Sequence, residues 1–260
     1  MKLDPSISAV VTGGSKGLGA ATAVRLASHG VRVAIFDLDA EAGELLASRL
    51  GGVFCRADVA SDASVEEAFS RARERHGQER ILVNCAGIVH AHRTAARDKS
   101  TGEVRRYPMA DYERVIQINL LGTFRCIAHS TAGMLALDRL PSGERGSVVN
   151  TASIAADEGQ IGQAAYAASK AGVAGMTLPI ARDLANEGIR VNTIKPGFFD
   201  TPMMHAGPSH VRQALLSSVP FPNRVGDPDE YAHLVEFLLT NAYMNGECVR
   251  VDAAARMTPR

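Results

Sequence analysis

Short apolar runs recur along the chain at residues 7–12, 31–36, 53–57, 81–84, 147–151, 189–194 and 247–251. Between them apolar residues return every three to four positions, the period of a helix with one buried face. Seven strands alternating with helices predict an α/β fold: a doubly wound, seven-stranded parallel sheet with helices on both faces. Each parallel crossover needs a connecting segment, and the right-handed one is strongly preferred. Ligands of such sheets collect beyond the carboxyl ends of the strands. Gly17, Asp37, Asp58, Asn84, Ser153 and Pro196 all fall at or just after predicted strand ends, on one rim. With 260 residues, 46% of them hydrophobic, the chain can bury a full core as one domain, 1–260, without metals or disulfides.

Three segments interrupt this alternation. Residues 90–106 are basic, with His90, His92, Arg93, Arg97, Lys99, Arg105 and Arg106 against Asp98 and Glu103, and Thr101-Gly102 marks a turn. A solvated hairpin or a subunit contact is one reading; cations that meet the phosphates of a coenzyme A thioester is the other. Residues 198–222 carry Phe198, Phe199, Met203, Met204, Leu215, Leu216 and Phe221 among Pro202, Gly207, Pro208, Pro220 and Pro222. So many helix breakers exclude a single core helix, and the segment is read as a mobile lid over an apolar substrate rather than as plain packing. Residues 137–146, with Pro141-Ser142-Gly143, read as an exposed loop without a function.

Two places on the rim carry candidate chemistry. The run Thr12-Gly13-Gly14-Ser15-Lys16-Gly17-Leu18-Gly19 joins the first strand to the first helix. Glycines there allow a tight turn and let backbone N–H groups approach a pyrophosphate, where the helix dipole favours negative charge. Asp37 ends the second strand, 18 residues after Gly19. A carboxylate in that position accepts hydrogen bonds from both ribose hydroxyls of an adenosine and repels a 2′-phosphate, which points to NAD. Lys16, a cation in the glycine turn, is dissonant with that reading. Leu38, next to Asp37, offers no cation. At the second place Tyr166 and Lys170 are four residues apart, with Ser153 upstream. On a helix this spacing sets the ammonium beside the phenol. A phenol titrates near ~10, so proton exchange at neutral pH requires stabilising its anion by about 4 kcal/mol, and a neighbouring cation acts in that direction. An ordinary partly exposed helical pair is the bland alternative, disfavoured by the glycine turn at the other end of the chain.

These residues together resemble the short-chain dehydrogenase/reductase family: Thr-Gly-x-x-x-Gly-x-Gly at Thr12 to Gly19, Asn84-Cys85-Ala86-Gly87, Asn119, and Ser153, Tyr166 and Lys170 at the family's spacing. The resemblance covers nearly the whole chain and implies a Rossmann-type fold. Glu158-Gly159-Gln160, Gly175 to Leu184, Val219-Pro220-Phe221-Pro222 and Asp227 to Leu234 are further similar to the type II 3-hydroxyacyl-CoA dehydrogenases. What the resemblance implies is NAD-dependent oxidation of a 3-hydroxyacyl-CoA in fatty-acid metabolism. Tyr166 is then the base, Lys170 lowers its proton affinity and binds the nicotinamide ribose, and Ser153 fixes the substrate oxygen. Asn119 holds a water that links Lys170 to solvent, although an Asn in mid-helix is otherwise a local polar group. Gly13, Ser15, Lys16, Gly17, Leu18 and Gly19 line the pyrophosphate turn, with Asp37 on the ribose and Asp58 and Val59 at the adenine. Asn84, Ala86 and Gly87 approach the ribose, while Pro196, Gly197, Phe199 and Thr201 lie by the nicotinamide. Gln160, Gln163, Phe198, Met203 and Met204 are expected at the substrate. Lys195, before Pro196, and Asp252-Ala253-Ala254, where relatives commonly end Asp-Gly-Gly, are departures. Lys195 is read as acting on substrate choice or on the pairing of Asp200. A homotetramer is implied, built on the helices from Asp111 and Gln163 and on the C-terminal segment.

Charge and cysteine usage narrow the partners. Lys plus Arg and Asp plus Glu balance at 28 each, so neither nucleic acid nor an anionic membrane is indicated. Cys55, Cys85, Cys126 and Cys248 have no metal-ligand spacing and read as reduced core thiols; no metal is expected. The first strand starts after about six residues and no apolar run approaches ~20, which implies a cytoplasmic protein. The same Tyr–Lys pair also serves other secondary alcohols, such as a steroid or a 3-oxoacyl carrier-protein thioester. A cofactor-binding scaffold without turnover is the alternative of another class.

Overall fold

The computed structural model describes residues 1–206, 213 and 215–259. Seven strands form one sheet in the order β3-β2-β1-β4-β7-β8-β9: β1 Ser8–Thr12, β2 Arg32–Asp37, β3 Val53–Arg56, β4 Ile81–Asn84, β7 Gly146–Thr151, β8 Ile189–Pro196 and β9 Cys248–Val251. Every pairing in it is parallel. The seven-stranded α/β sheet expected from the apolar runs is therefore present, with strand ends moved by a residue or two. β1, β4 and β7 are buried along their whole length and carry no charged residue, whereas the edge strands β3 and β9 are partly exposed.

Alternate side chains divide the core between the two faces of the sheet. Val11, Ile35, Val83, Val149 and Ile194 point to one face, where they meet α1 (Gly17–Ser28), α2 (Ala40–Leu50) and α9 (Pro228–Thr240). Val10, Ala34, Leu82, Val148 and Val191 point to the other, against α3 (Asp62–His76), α5 (Thr123–Met134) and α7 (Ala164–Leu184). The chain winds outward from β1 through β2 to β3, then returns to β4 and continues the other way, so the strand order reverses between β1 and β4. That reversal opens a crevice at their carboxyl ends. There the glycine turn and the segment after β4 touch: a Cβ on Gly13, whose φ is +60°, would come within 2.7 Å of the Ala86 nitrogen. Only glycine fits.

Four details differ from the sequence expectation or extend it. The helix expected from Asp111 begins as α4 (Met109–Ile116), passes through a π-helical turn at Gln117–Gly122 and resumes as α5. Asn119 lies in that wider turn. Residues 90–106 form a two-stranded antiparallel hairpin, β5 (Ala95–Arg97) with β6 (Val104–Arg106), outside the main sheet. The 137–146 loop is not simply exposed: Glu144 is buried and accepts a hydrogen bond from Arg190 Nε on β8 at 2.7 Å. Its polar, turn-rich sequence gave no sign of a partner so distant in the chain. Finally, Ala253 and Ala254 adopt φ of +50° and +61°, the left-handed region that glycine occupies without strain.

Candidate active site

The crevice is the mouth of a cavity of about 750 Å³ that runs from the glycine turn to Tyr166. At one end α1 begins. No side chain caps it, while α2, α3 and α9 are capped by Asp39, Ser61 and Asp227. Gly17, Leu18 and Gly19, the first residues of α1, line the cavity with Gly13, Ser15 and Lys16. Unpartnered N–H groups at the positive end of a helix dipole fit a pyrophosphate.

Asp37, at the tip of β2, also lines the cavity. Its carboxylate is held in place by Ser15, whose Oγ and backbone N donate to Oδ2 at 2.5 and 3.1 Å, and by Asp39 N, which donates to Oδ1 at 3.1 Å. Lys16 does not stand free in the turn. Its Nζ pairs with Asp39 Oδ2 at 2.5 Å. Asp58 and Val59, after β3, complete this end, and Ala86 and Gly87 line its inner wall. Asn84 does not reach the cavity: it lies behind the wall, donating to Asn150 Oδ1 at 3.0 Å and sitting 3.4 Å from Thr12 Oγ1. Its position as the last residue of a fully buried strand turns the amide into the core.

At the other end Ser153, Tyr166 and Lys170 come together. Ser153 follows β7, its Oγ accepts from Ala155 N at 3.1 Å, and its hydroxyl acts on the Tyr166 phenol in the direction that lowers its pKa. Tyr166 and Lys170 are successive rungs of α7, with the ammonium 5.9 Å from the centre of the phenol ring. Lys170 Nζ donates to Thr151 O at 2.7 Å. Burial disfavours the charged form of each group. It raises the phenol above its ordinary value, opposed by the hydrogen bond from Ser153, and it lowers the lysine to about 8. In the free protein, then, burial outweighs the help that Lys170 was expected to give the phenolate.

Asn119 is buried, and its amide is occupied by protein. Oδ1 accepts from Ile88 N at 2.8 Å, while Nδ2 donates to Ile88 O at 2.9 Å and to Ser169 Oγ at 3.0 Å. It clamps the segment after β4 to α7. Gln160, Gln163, Phe198, Met203, Met204, Pro196, Gly197, Phe199 and Thr201 all line the cavity. Phe198 packs with Ile154, Val219 and Ala255, and Phe199 stands edge-on to Tyr231. The Thr201 hydroxyl accepts from Met204 N at 3.4 Å and so starts α8, Pro202–His205. Of the expected lid, Gly207, Pro208 and the other residues of 207–212 and 214 lie outside the described residues.

Several participants were missed from sequence. Cys85 packs against the core, as expected, and also lines the cavity, and Arg114 reaches the cavity from α4. Beneath Lys170, Thr151 Oγ1 meets the hydroxyl of the fully buried Tyr231 at 2.7 Å and donates to Asn84 O at 2.6 Å. Cys85 had a signal, its place in Asn84-Cys85-Ala86-Gly87; Tyr231 fell within the similar segment Asp227 to Leu234, but nothing there pointed to Thr151, 80 residues away. The four cysteines are free, and burial pushes the Cys55 and Cys126 thiols up to about 11 and about 12. Lys195 is accounted for: it pairs with Asp157 at 3.0 Å, while Asp200 pairs with His205 at 2.5 Å. None of the cations of 90–106 lines the main cavity, and Arg105 is paired with Glu103 at 2.7 Å. No helix among the described residues is long and apolar enough to cross a membrane.

Comparison with known proteins gives a consistent result. A 3-hydroxyacyl-CoA dehydrogenase type-2 of Bos taurus is 49% identical over 253 residues, covering 96% of this chain and 95% of that protein. The Drosophila melanogaster protein of the same name is 49% identical over 252 residues, covering 96% and 97%. A crystal structure of 3-hydroxyacyl-CoA dehydrogenase type-2 from Mycobacterium avium superposes with a TM-score of 0.91 at 44% identity over 98% of both chains. The short chain dehydrogenase family profile matches residues 8–211, and with the sheet, the crevice and these relatives it establishes that the chain belongs to that family of oxidoreductases, which use a nicotinamide cofactor.

Proposed function

We propose that this protein oxidises a 3-hydroxyacyl-CoA to a 3-oxoacyl-CoA with NAD as the hydride acceptor and Tyr166 as the base. The observation that carries the proposal is the single cavity that joins an uncapped helix start and Asp37 at one end to Ser153, Tyr166 and Lys170 at the other. The names of the relatives supply the substrate.

The nicotinamide, when bound, accepts the hydride from the carbon that bears the hydroxyl. The rest falls to the chain. Ser153 holds the substrate oxygen, and it favours the phenolate form of Tyr166. Tyr166 takes the hydroxyl proton as the carbonyl forms and returns it in the reverse direction. Lys170, anchored on the Thr151 carbonyl, carries the cation that favours the phenolate, joined by the positive charge of the oxidised cofactor. Asn119 acts by position: with both polar atoms committed to Ile88 and Ser169, it sets the wall that faces Lys170.

Gly13, Ser15, Gly17, Leu18 and Gly19 would cradle the pyrophosphate, and Asp37 would take the adenosine ribose. Asp58 and Val59 would flank the adenine, with Ala86 and Gly87 at the nicotinamide ribose and Pro196, Gly197, Phe199 and Thr201 at the ring. NAD is favoured over NADP because Lys16 is neutralised by Asp39 and Asp37 presents a carboxylate. On the substrate side we assign Gln160, Gln163, Phe198, Met203 and Met204, with residues 198–222 as the lid. Gln160 and Gln163 also border a second, shallower pocket that includes Arg93. Arg93 is thus the cation of the 90–106 insertion best placed for a coenzyme A phosphate. Exposed Leu121, Phe124 and Leu178, on the helices around Asn119 and after Tyr166, support the homotetramer. The free thiols suit a reducing cytoplasm.

The test is turnover of 3-hydroxybutyryl-CoA and its 2-methyl homologue beside a steroid panel, each with NAD and with NADP. We expect a higher kcat/KM on the thioesters than on any steroid, and with NAD than with NADP. Preference for a steroid, or for NADP, would overturn the corresponding part of the proposal.

A further inference from the structure

His90, His92 and Asp111 stand apart from the chemistry above, for none of them lines the cavity. The two histidines lie in the segment between β4 and the hairpin, and Asp111 sits in the first turn of α4. His90 Nδ1 is 3.4 Å from Asp111 Oδ1, and His92 Nε2 is 2.9 Å from Oδ2. One ligand atom from each residue lies within 4.8 Å of the other two, and among the described residues this is the one such trio.

We propose that His90, His92 and Asp111 form a binding site for a divalent cation of the zinc class. The donor set selects the metal. Two imidazoles and a carboxylate suit a borderline cation, whereas calcium and magnesium prefer shells made of oxygen. The geometry is close to what such a cation needs. Bonds of about 2.0 Å in a tetrahedron give ligand separations of about 3.3 Å; here the imidazoles meet different oxygens of Asp111, His90 at Oδ1 and His92 at Oδ2, with one ligand atom from each residue inside 4.8 Å. Turning the carboxylate and the two imidazole rings, which are half-buried or exposed, brings one oxygen and both nitrogens to such separations.

The segment that bears the histidines is held from both sides. His92 N donates to Gly162 O at 3.0 Å, and Tyr107 Oη donates to His90 O at 3.3 Å. The Tyr107 ring stands edge-on to the His92 imidazole with centroids 5.3 Å apart. Three protein ligands leave a fourth position for water. A cation here ties the segment of Val89 and Ala91, which line the cavity, to α4, whose Arg114 lines it too. The inference does not depend on the substrate proposed above.

The experiment titrates the chelator-treated full-length protein with Co2+, whose visible absorption reports coordination number and ligand type, and then with Zn2+ as competitor. We expect saturable binding of a single equivalent per chain, a four-coordinate spectrum without sulfur-to-metal charge transfer, and displacement by Zn2+. His92→Gln and Asp111→Asn should each weaken binding about tenfold or more, with the metal-free melting temperature unchanged. Cys248→Ser should change nothing. No saturable binding below about 1 mM, a thiolate spectrum, or an equivalent that survives His92→Gln would overturn the site and leave a plain imidazole–carboxylate pair.

Discussion

Lys170 shows how one residue's environment sets its chemistry. A buried ammonium favours a neighbouring phenolate only while it keeps its charge, and burial brings its pKa down to about 8. The consequence for stability has a definite sign. Because the folded value lies below the ordinary 10.5, the unfolded chain binds more protons between the two, and stability must rise with pH across that window. Between pH 7 and 9.5 the unfolding free energy of the natural protein should therefore gain on that of Lys170→Met, as followed by urea denaturation. A constant difference would mean that the ammonium is not penalised by burial. The sequence showed the Tyr166–Lys170 pair and Ser153 because both spacings are local or follow one strand end. It did not show Thr151 and Tyr231 beneath them, since a contact across 80 residues leaves no periodic trace.

Among the elements, the strands were the most legible, because a parallel strand buried on both faces is free of charge and centred on an apolar run. The π-helical turn at Gln117–Gly122 was not, since one extra residue in a helix barely disturbs the apolar period, and only Asn119 hints at it. Asn84 ends β4 where expected, but whether a strand's last residue points to rim or core depends on the pleat, and here its amide meets Asn150. The turn after β9 was noticed as a departure, and the structure gives it an energetic meaning. Ala253 and Ala254 both sit at positive φ. An L residue there costs roughly 1–2 kcal/mol, of which the greater unfolded-state freedom of glycine returns about 0.5–1. Ala253→Gly and Ala254→Gly should each stabilise the protein by up to about 1 kcal/mol, read from the denaturation midpoint at constant m-value. Destabilisation by either would show that the left-handed backbone is not strained.

At the scale of the whole molecule, the reversal of strand order between β1 and β4 brings two halves of the sequence to one cavity, and the regular alternation of elements made this legible. The polar ties that close the far side of the sheet were not. Arg190, on β8, donates to Glu144 at 2.7 Å and to the carbonyls of Leu238, Leu239 and Met244 at 2.7, 2.7 and 2.8 Å, joining the sheet to the end of α9 and to a loop read as idle. Removing one partner of a buried pair costs about 3–5 kcal/mol. Arg190→Ala should lose stability on that scale in chemical denaturation, while a loss under about 1 kcal/mol would show that water replaces the network.

The proton is the centre of the account, and Tyr166→Phe isolates it by removing a single oxygen from the cavity wall. With NAD and 3-hydroxybutyryl-CoA, kcat should fall at least ~10²-fold, while cofactor affinity, measured by fluorescence titration, stays as it was. Turnover close to that of the natural protein would contradict the assignment of the phenol as the base.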